Sequence, residues 1–176
     1  NDFKLSSSAS LTGTFSSTRY IITGGTGVFI KEGTNAAQLR TSMNTNGLYP
    51  VGSGGYYTPY QLSALTATVT GTGYISVRAV ASRQPNVPYF NNALTKFWEI
   101  ETSNISAITA SAQFSFNAAE VIGSVAGYVP RVWDGTNLSA GSGGSTPSSP
   151  GSNPFFVNNN NFIAGSWTAV DPTVRA

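Results

Sequence analysis

From Ile108 to Asn117 every second residue is apolar: Ile108, Ala110, Ala112, Phe114 and Phe116 alternate with Thr109, Ser111, Gln113, Ser115 and Asn117. Side chains of an extended strand point alternately to its two faces, so this period buries one set and leaves the other in water. The pattern recurs from Gly73 to Ala81, with Ile75, Val77 and Ala79 on one face and Tyr74, Ser76 and Arg78 on the other. Between Leu94 and Glu101, the side chains of Leu94, Trp98 and Ile100 share a face opposite Phe97, Glu99 and Glu101. Lys96 falls on the apolar side, where snorkelling at a sheet edge is the expected relief.

Shorter signals agree with strands. The runs Arg19–Thr23 and Val28–Lys31 flank Gly24-Gly25-Thr26-Gly27 and predict a hairpin. Residues 56–70 are β-prone but interrupted by Pro59, which suits an edge or a bend. Residues 5–15 are Ser/Thr-rich and predict a first strand, and residues 127–133 a late one closing at the turn dipeptide Asp134-Gly135. Only Thr34–Arg40 and Ala118–Ile122 could be helical, and both are too short to carry a core. Many short strands, Gly/Pro/Asn turns and very little helix predict an all-β fold, an antiparallel β-sandwich of Ig-like or jelly-roll-like kind.

Composition limits the surface chemistry. Charged residues make up 9 % of the 176, against about 25 % in an ordinary soluble domain. Ser, Thr and Asn number 23, 20 and 15, so the polar surface is built of hydroxyls and amides. Coiled coils and charge-driven disorder are excluded, since the former need abundant Glu, Lys and Arg and the latter a high net charge, here only +2. This surface points to an extracellular location.

The chain has no Cys and no His. Disulfides, thiolate nucleophiles, zinc–thiolate sites and a Ser–His–Asp triad are therefore excluded within it. No apolar run is long enough for a membrane-spanning helix, and if the chain is secreted a signal peptide has already been removed. The nine Lys and Arg are dispersed, without the basic stripe that a nucleic-acid backbone requires. No cofactor is expected, and no acidic calcium loop is present, although the spacing decides neither a Ca²⁺ at a turn nor a Lys–Asn isopeptide link, in which Lys31 and Lys96 could take part.

Glu99 and Glu101 are the only closely spaced carboxylates. On a strand they point the same way with Cα atoms about 6.5 Å apart, a glycosidase acid/base pair or part of a calcium site in the sharper reading and two solvated charges in the plainer one. Gly52-Ser53-Gly54-Gly55 and Gly141-Ser142-Gly143-Gly144 lack the Lys-Ser/Thr ending of a phosphate loop. Aromatic rings can stack on sugar faces; Trp98 reads as core, whereas Tyr56, Tyr57 and above all Trp167 are the expected stacking residues.

The order of several short motifs carries a resemblance. Arg19-Tyr20-Ile21-Ile22-Thr23, a Gly-rich turn and Val28-Phe29-Ile30-Lys31 precede Leu48-Tyr49-Pro50-Val51-Gly52 and Tyr57-Thr58-Pro59. Gly73–Arg78, Lys96-Phe97-Trp98-Glu99-Ile100 and Val132-Trp133-Asp134-Gly135-Thr136 follow. Over residues 19–137 this succession resembles a β-sandwich region of large secreted surface proteins of Bacteroidetes-type bacteria. Ile22, Phe29 and Tyr49 stand where that pattern has Val, Leu and Phe, and the usual terminal sorting module is missing, as in a processed chain or a fragment. The resemblance implies an exported structural or adhesive module, with no catalytic residue to transfer and with Trp98 and Trp133 as core tryptophans.

The expected organisation is an N-terminal strand or arm at 1–18, a sandwich domain at 19–140, a Gly/Ser/Pro-rich loop or linker at 141–154 and a C-terminal strand segment at 155–176 that packs on the same or a neighbouring domain. The expected function is a non-enzymatic extracellular module, a self-associating subunit of a bacterial surface fibre, stalk or layer. Its partners would be copies of itself or neighbouring surface-protein domains, reached by strand exchange through Leu5, Leu11, Phe15, Phe155, Phe156, Val157, Phe162 and Ile163. The alternative is a carbohydrate-binding module whose partner is a glycan.

Overall fold

The computed structural model describes residues 1–41, 47–87, 91–140 and 164–171, and the backbone of 155–159. Two strands organise the chain: β7 (Tyr60–Val80) and β9 (Phe97–Phe114). Before them come β1 (Phe3–Leu5), β2 (Ile21–Ile22), β3 (Phe29–Gly33), β4 (Gly47–Tyr49), β5 (Val51–Ser53) and β6 (Tyr56–Tyr57), and between them β8 (Ala93–Leu94). After them come β10 (Val121–Ile122), β11 (Val129–Trp133), β12 (Leu138–Ala140), β13 (Phe155–Asn159) and β14 (Gly165–Val170). The described residues contain no α-helix, only 3₁₀ turns at Ala118–Glu120 and Val125–Gly127, and no helix long and apolar enough to cross a membrane.

The fold is an all-β sandwich, and the β7–β9 ribbon supplies both of its layers. The strands pair antiparallel from Tyr60↔Phe114 to Val80↔Phe97. Trp98 and Phe114 lie sixteen residues apart on β9, which in a straight strand is about 53 Å, yet their ring centroids are 5.2 Å apart. The ribbon therefore folds back on itself. The corner lies where the register slips between Ser63 and Tyr74, beside positive φ angles at Ala64 (51°), Asn104 (55°) and Ala107 (48°). Bulges of this kind let one strand turn from one layer into the next.

One layer runs β1-β3-β7-β9-β14-β11-β12. At the other end of the ribbon β4 flanks β7 and β13 flanks β9. Between the layers the rings of Phe29, Tyr49, Tyr60, Phe114 and Trp167 follow one another at centroid distances of 5.0–5.6 Å. The alternation read from the sequence holds: Ile108, Ala110, Ala112, Phe114 and Phe116 are buried, as are Ile75, Val77 and Ala79.

Several expectations are corrected. The runs around Gly24–Gly27 do not pair with each other: β2 joins a separate three-stranded sheet with β5 and β6, and β3 pairs with β7 and β1. Residues 34–40 form turns instead of a helix, because the chain there closes tightly on β3. The N-terminal strand is only Phe3–Leu5, held parallel to β3. Leu5 and Leu11 pack against the core of their own chain, and Phe15 lies outside any strand. Of the two placements expected for the C-terminal segment, Gly165–Val170 takes the one on the same domain: β14 sits between β9 and β11 as an interior strand of this sheet. The backbone of Phe155, Phe156 and Val157 pairs with β9; Phe162, Ile163 and the 141–154 linker lie outside the described residues.

Candidate functional site

The cross-strand register lines up four residues on the outer face of the larger layer. Arg78 on β7 stands opposite Glu99 on β9, Glu99 opposite Ser166 on β14, and Ser166 opposite Trp133 on β11. Directly opposed residues share a sheet face, so this row crosses four strands on one side. It floors an open cleft of about 580 Å³, which Tyr74, Glu101 and Asp134 also line.

Each side chain has a local reason for its position. In β11 the buried residues are Pro130 and Val132, so period two turns Val129, Arg131 and Trp133 outward, and Trp133 is half-buried. Asp134 begins the turn into β12, its Oδ1 accepting from the backbone N–H groups of Thr136 (2.8 Å) and Asn137 (2.7 Å). These two donors hold its carboxyl below the usual carboxylate value. Arg78 binds Glu99 through Nε at 2.6 Å and pairs with it through its terminal guanidinium nitrogen as well. Glu101, one strand period further on, is exposed, with no hydrogen-bond or ion-pair partner among the described residues.

The arrangement sets flat apolar surface beside hydrogen-bonding groups. An indole and a phenol offer flat apolar surface, while carboxylate, hydroxyl and guanidinium groups offer acceptors and donors close by. No group of three or more acidic residues that could hold a metal occurs among the described residues.

The stacking residues expected from the sequence fare differently. Trp167 is 1 % exposed and stacks on Phe114 in the core, because its side of β14 faces the other layer. Tyr56 and Tyr57 are half-buried in β6, Tyr57 lying 5.7 Å from Tyr20, and they do not join Trp167 in one surface. Trp98 is core, as expected, its indole N–H donating to the Thr58 carbonyl at 2.9 Å. Trp133 is not a core tryptophan: the outward-facing Arg131, two residues earlier, was the signal in the sequence for its exposure.

A second polar constellation is internal. Lys96 is buried, with Nζ 2.5 Å from Glu120 Oε1, and it donates to Ser53 O (3.1 Å), Ser53 Oγ (3.2 Å) and Thr58 Oγ1 (3.2 Å). The expected snorkelling does not occur, because the loops from β5 to β7 close over the strand and place acceptors around the amine. Burial lowers the pKa of Lys96 from its ordinary value, with Glu120 opposing the shift.

An all-β sandwich with a polar, aromatic-walled cleft on its outer face is the class that fold and site define. No family model, curated protein or solved structure matches the chain.

Proposed function

We propose that the chain is a non-enzymatic, extracellular structural and adhesive β-sandwich module, and that it makes its adhesive contact by binding a saccharide across the row at Trp133. The observation that carries this reading is the combination, in one open cleft, of two aromatic side chains (Trp133 and Tyr74) with two carboxylates and a hydroxyl (Glu99, Glu101 and Ser166). Pyranose rings present apolar C–H faces and polar edges, which such a cleft meets on both counts. The low charge and abundant Ser, Thr and Asn support an extracellular location.

A panel of immobilised glycans tests it, followed by calorimetric titration of any hit. Binding to a defined saccharide class, weakened about tenfold or more in Trp133→Ala and Tyr74→Ala variants of unchanged circular dichroism, is expected. A panel without a hit, or a hit indifferent to both substitutions, overturns it.

A self-associating subunit of a surface fibre, stalk or layer is the second reading. It draws support from the edge strands β1 and β12, each three residues long with no strand beyond it among the described residues. Light scattering over a concentration series, with and without residues 1–15, decides it: a constant monomer mass removes this reading.

A further inference from the structure

We propose that Lys96 and Glu120 become covalently joined in the folded protein by an intramolecular amide between Nζ and Cδ, formed by condensation with loss of one water. The two side chains are 0 % and 4 % exposed and 2.5 Å apart. They are held there from both sides. Asn117 and Glu120 form a reciprocal cap on the Ala118–Glu120 turn, and the Glu120 carbonyl accepts from the Thr95 backbone N–H at 2.7 Å and from Thr95 Oγ1 at 3.1 Å. The Lys96 carbonyl accepts from Thr168 Oγ1 at 2.8 Å.

The surroundings contain the groups that condensation needs. The step begins with transfer of one proton from Nζ to Oε1 across their contact, which neutralises both members of the buried pair. Burial also weakens the hold of Lys96 on its proton. The free amine then attacks Cδ. Negative charge builds on Oε2, which already accepts from the Asn117 backbone N–H at 2.8 Å, a donor placed as in an oxyanion hole. The C–Oε1 bond breaks as Oε1, carrying the first proton, takes a second from Nζ through the hydroxyl of Ser53 or Thr58. One C–N bond forms, one C–O bond breaks, water leaves, and no oxidant or external co-reactant enters. Fixed proximity substitutes for an activated leaving group, effective concentrations in such rigid pairs reaching about 10⁵–10⁸ M.

Lys31 is the internal contrast. It too is buried, but its Nζ donates to three backbone carbonyls, those of Ser6, Ser7 and Glu32. The Glu32 carboxylate meanwhile turns to Lys4 at 2.7 Å. Among the described residues no carboxylate is bonded to the Lys31 amine, so Lys31 is left unlinked.

Intact mass measured under denaturing conditions tests the proposal on the full chain. The expected mass is about 18 Da below that of the sequence. Trypsin should release residues 84–131 as one peptide bearing that deficit, because the linked Lys96 resists cleavage. A Lys96→Met/Glu120→Leu double variant should have the full mass of its own sequence. A wild-type chain of full mass, giving separate peptides 84–96 and 97–131, overturns the proposal. So does a deficit that maps to Asp134-Gly135, where a succinimide would lose the same mass.

Discussion

Phe114 stacks on Trp167 with ring centroids 5.6 Å apart and planes inclined by 27°, so the last residue of β9 lies over the strand between β9 and β11. The same ring is 5.0 Å from Tyr60 and 5.2 Å from Trp98, which ties the two ends of the ribbon together. Truncating it leaves a cavity where the layers meet. Phe114→Ala should destabilise the fold by about 3–5 kcal/mol, read as a lower urea midpoint. A loss under about 1 kcal/mol would mean that the layers do not depend on this ring.

A buried ionisable side chain that loses its partner carries its desolvation cost alone, whether the partner was joined to it by an ion pair or by an amide. Lys96→Met leaves the Glu120 carboxyl in the core with the Asn117 N–H as its remaining hydrogen-bond donor, and should cost about 3–5 kcal/mol. The Lys96→Met/Glu120→Leu double variant should recover more than half of that loss. Equal instability of the single and double variants would show that the pair holds β9 to the turn at 118–120 in a way apolar packing cannot replace. Chemical denaturation of all three chains makes the comparison.

Stability should fall steeply in alkali. Burial raises the phenol of Tyr128 to about 12 and those of Tyr49 and Tyr60 well above the ordinary 10.0. Above pH 10 the unfolded chain sheds phenolic protons that the folded chain keeps, so the folded state binds more protons and loses stability as pH rises. Lys31 acts in the opposite direction. Its pKa is lowered by burial from 10.5, so the unfolded chain binds more protons between the lowered value and 10.5, and stability rises with pH in that window. The expected profile is a rise towards pH 10 and a fall beyond it, with phenolate absorbance appearing together with unfolding. Full ionisation of the tyrosines in a chain that keeps its far-ultraviolet circular dichroism would contradict it.

Gly33 ends β3 where the 34–40 turns press on it. A Cβ there would lie 2.8 Å from the Leu39 backbone nitrogen and 2.9 Å from the Gln38 carbonyl carbon, and backbone cannot yield as a side chain tip can. Gly33→Ala should therefore destabilise by about 1–3 kcal/mol, whereas Gly135→Ala has open space and meets only the strain of its positive φ. Thermal melts of both variants would show the smaller loss at Gly135.

The sequence carried the strands better than their partners. Alternation fixes which side of β9 is buried from Ile108 to Phe116 and which side of β7 from Ile75 to Ala79, because a local period is enough. Pairing is not local, so the hairpin predicted across Gly24–Gly27 failed: β2 found β5 instead. Lys96 was correctly placed on the apolar side, but its partner Glu120 arrives on a turn brought back by tertiary contacts. Trp167 was misplaced because Trp167, Thr168, Ala169 and Val170 are all buried, and an interior strand covered on both faces shows no alternation. Of the cleft, Glu99 and Glu101 were legible as outward-facing carboxylates, while the row they share with Arg78, Ser166 and Trp133 exists only once β14 has been inserted between β9 and β11.

Because β7 and β9 turn the corner and belong to both layers, neither layer is a separable piece. A force or denaturant that frees one end of the ribbon unpacks Phe114 from Trp98 and Trp167, and with it the opposite face. Loss of structure should then pass through no half-sandwich, and amide hydrogens at Ile75 and at Ala112 should exchange with a single opening free energy. Under pulling or proteolysis, such a fold is either whole or gone.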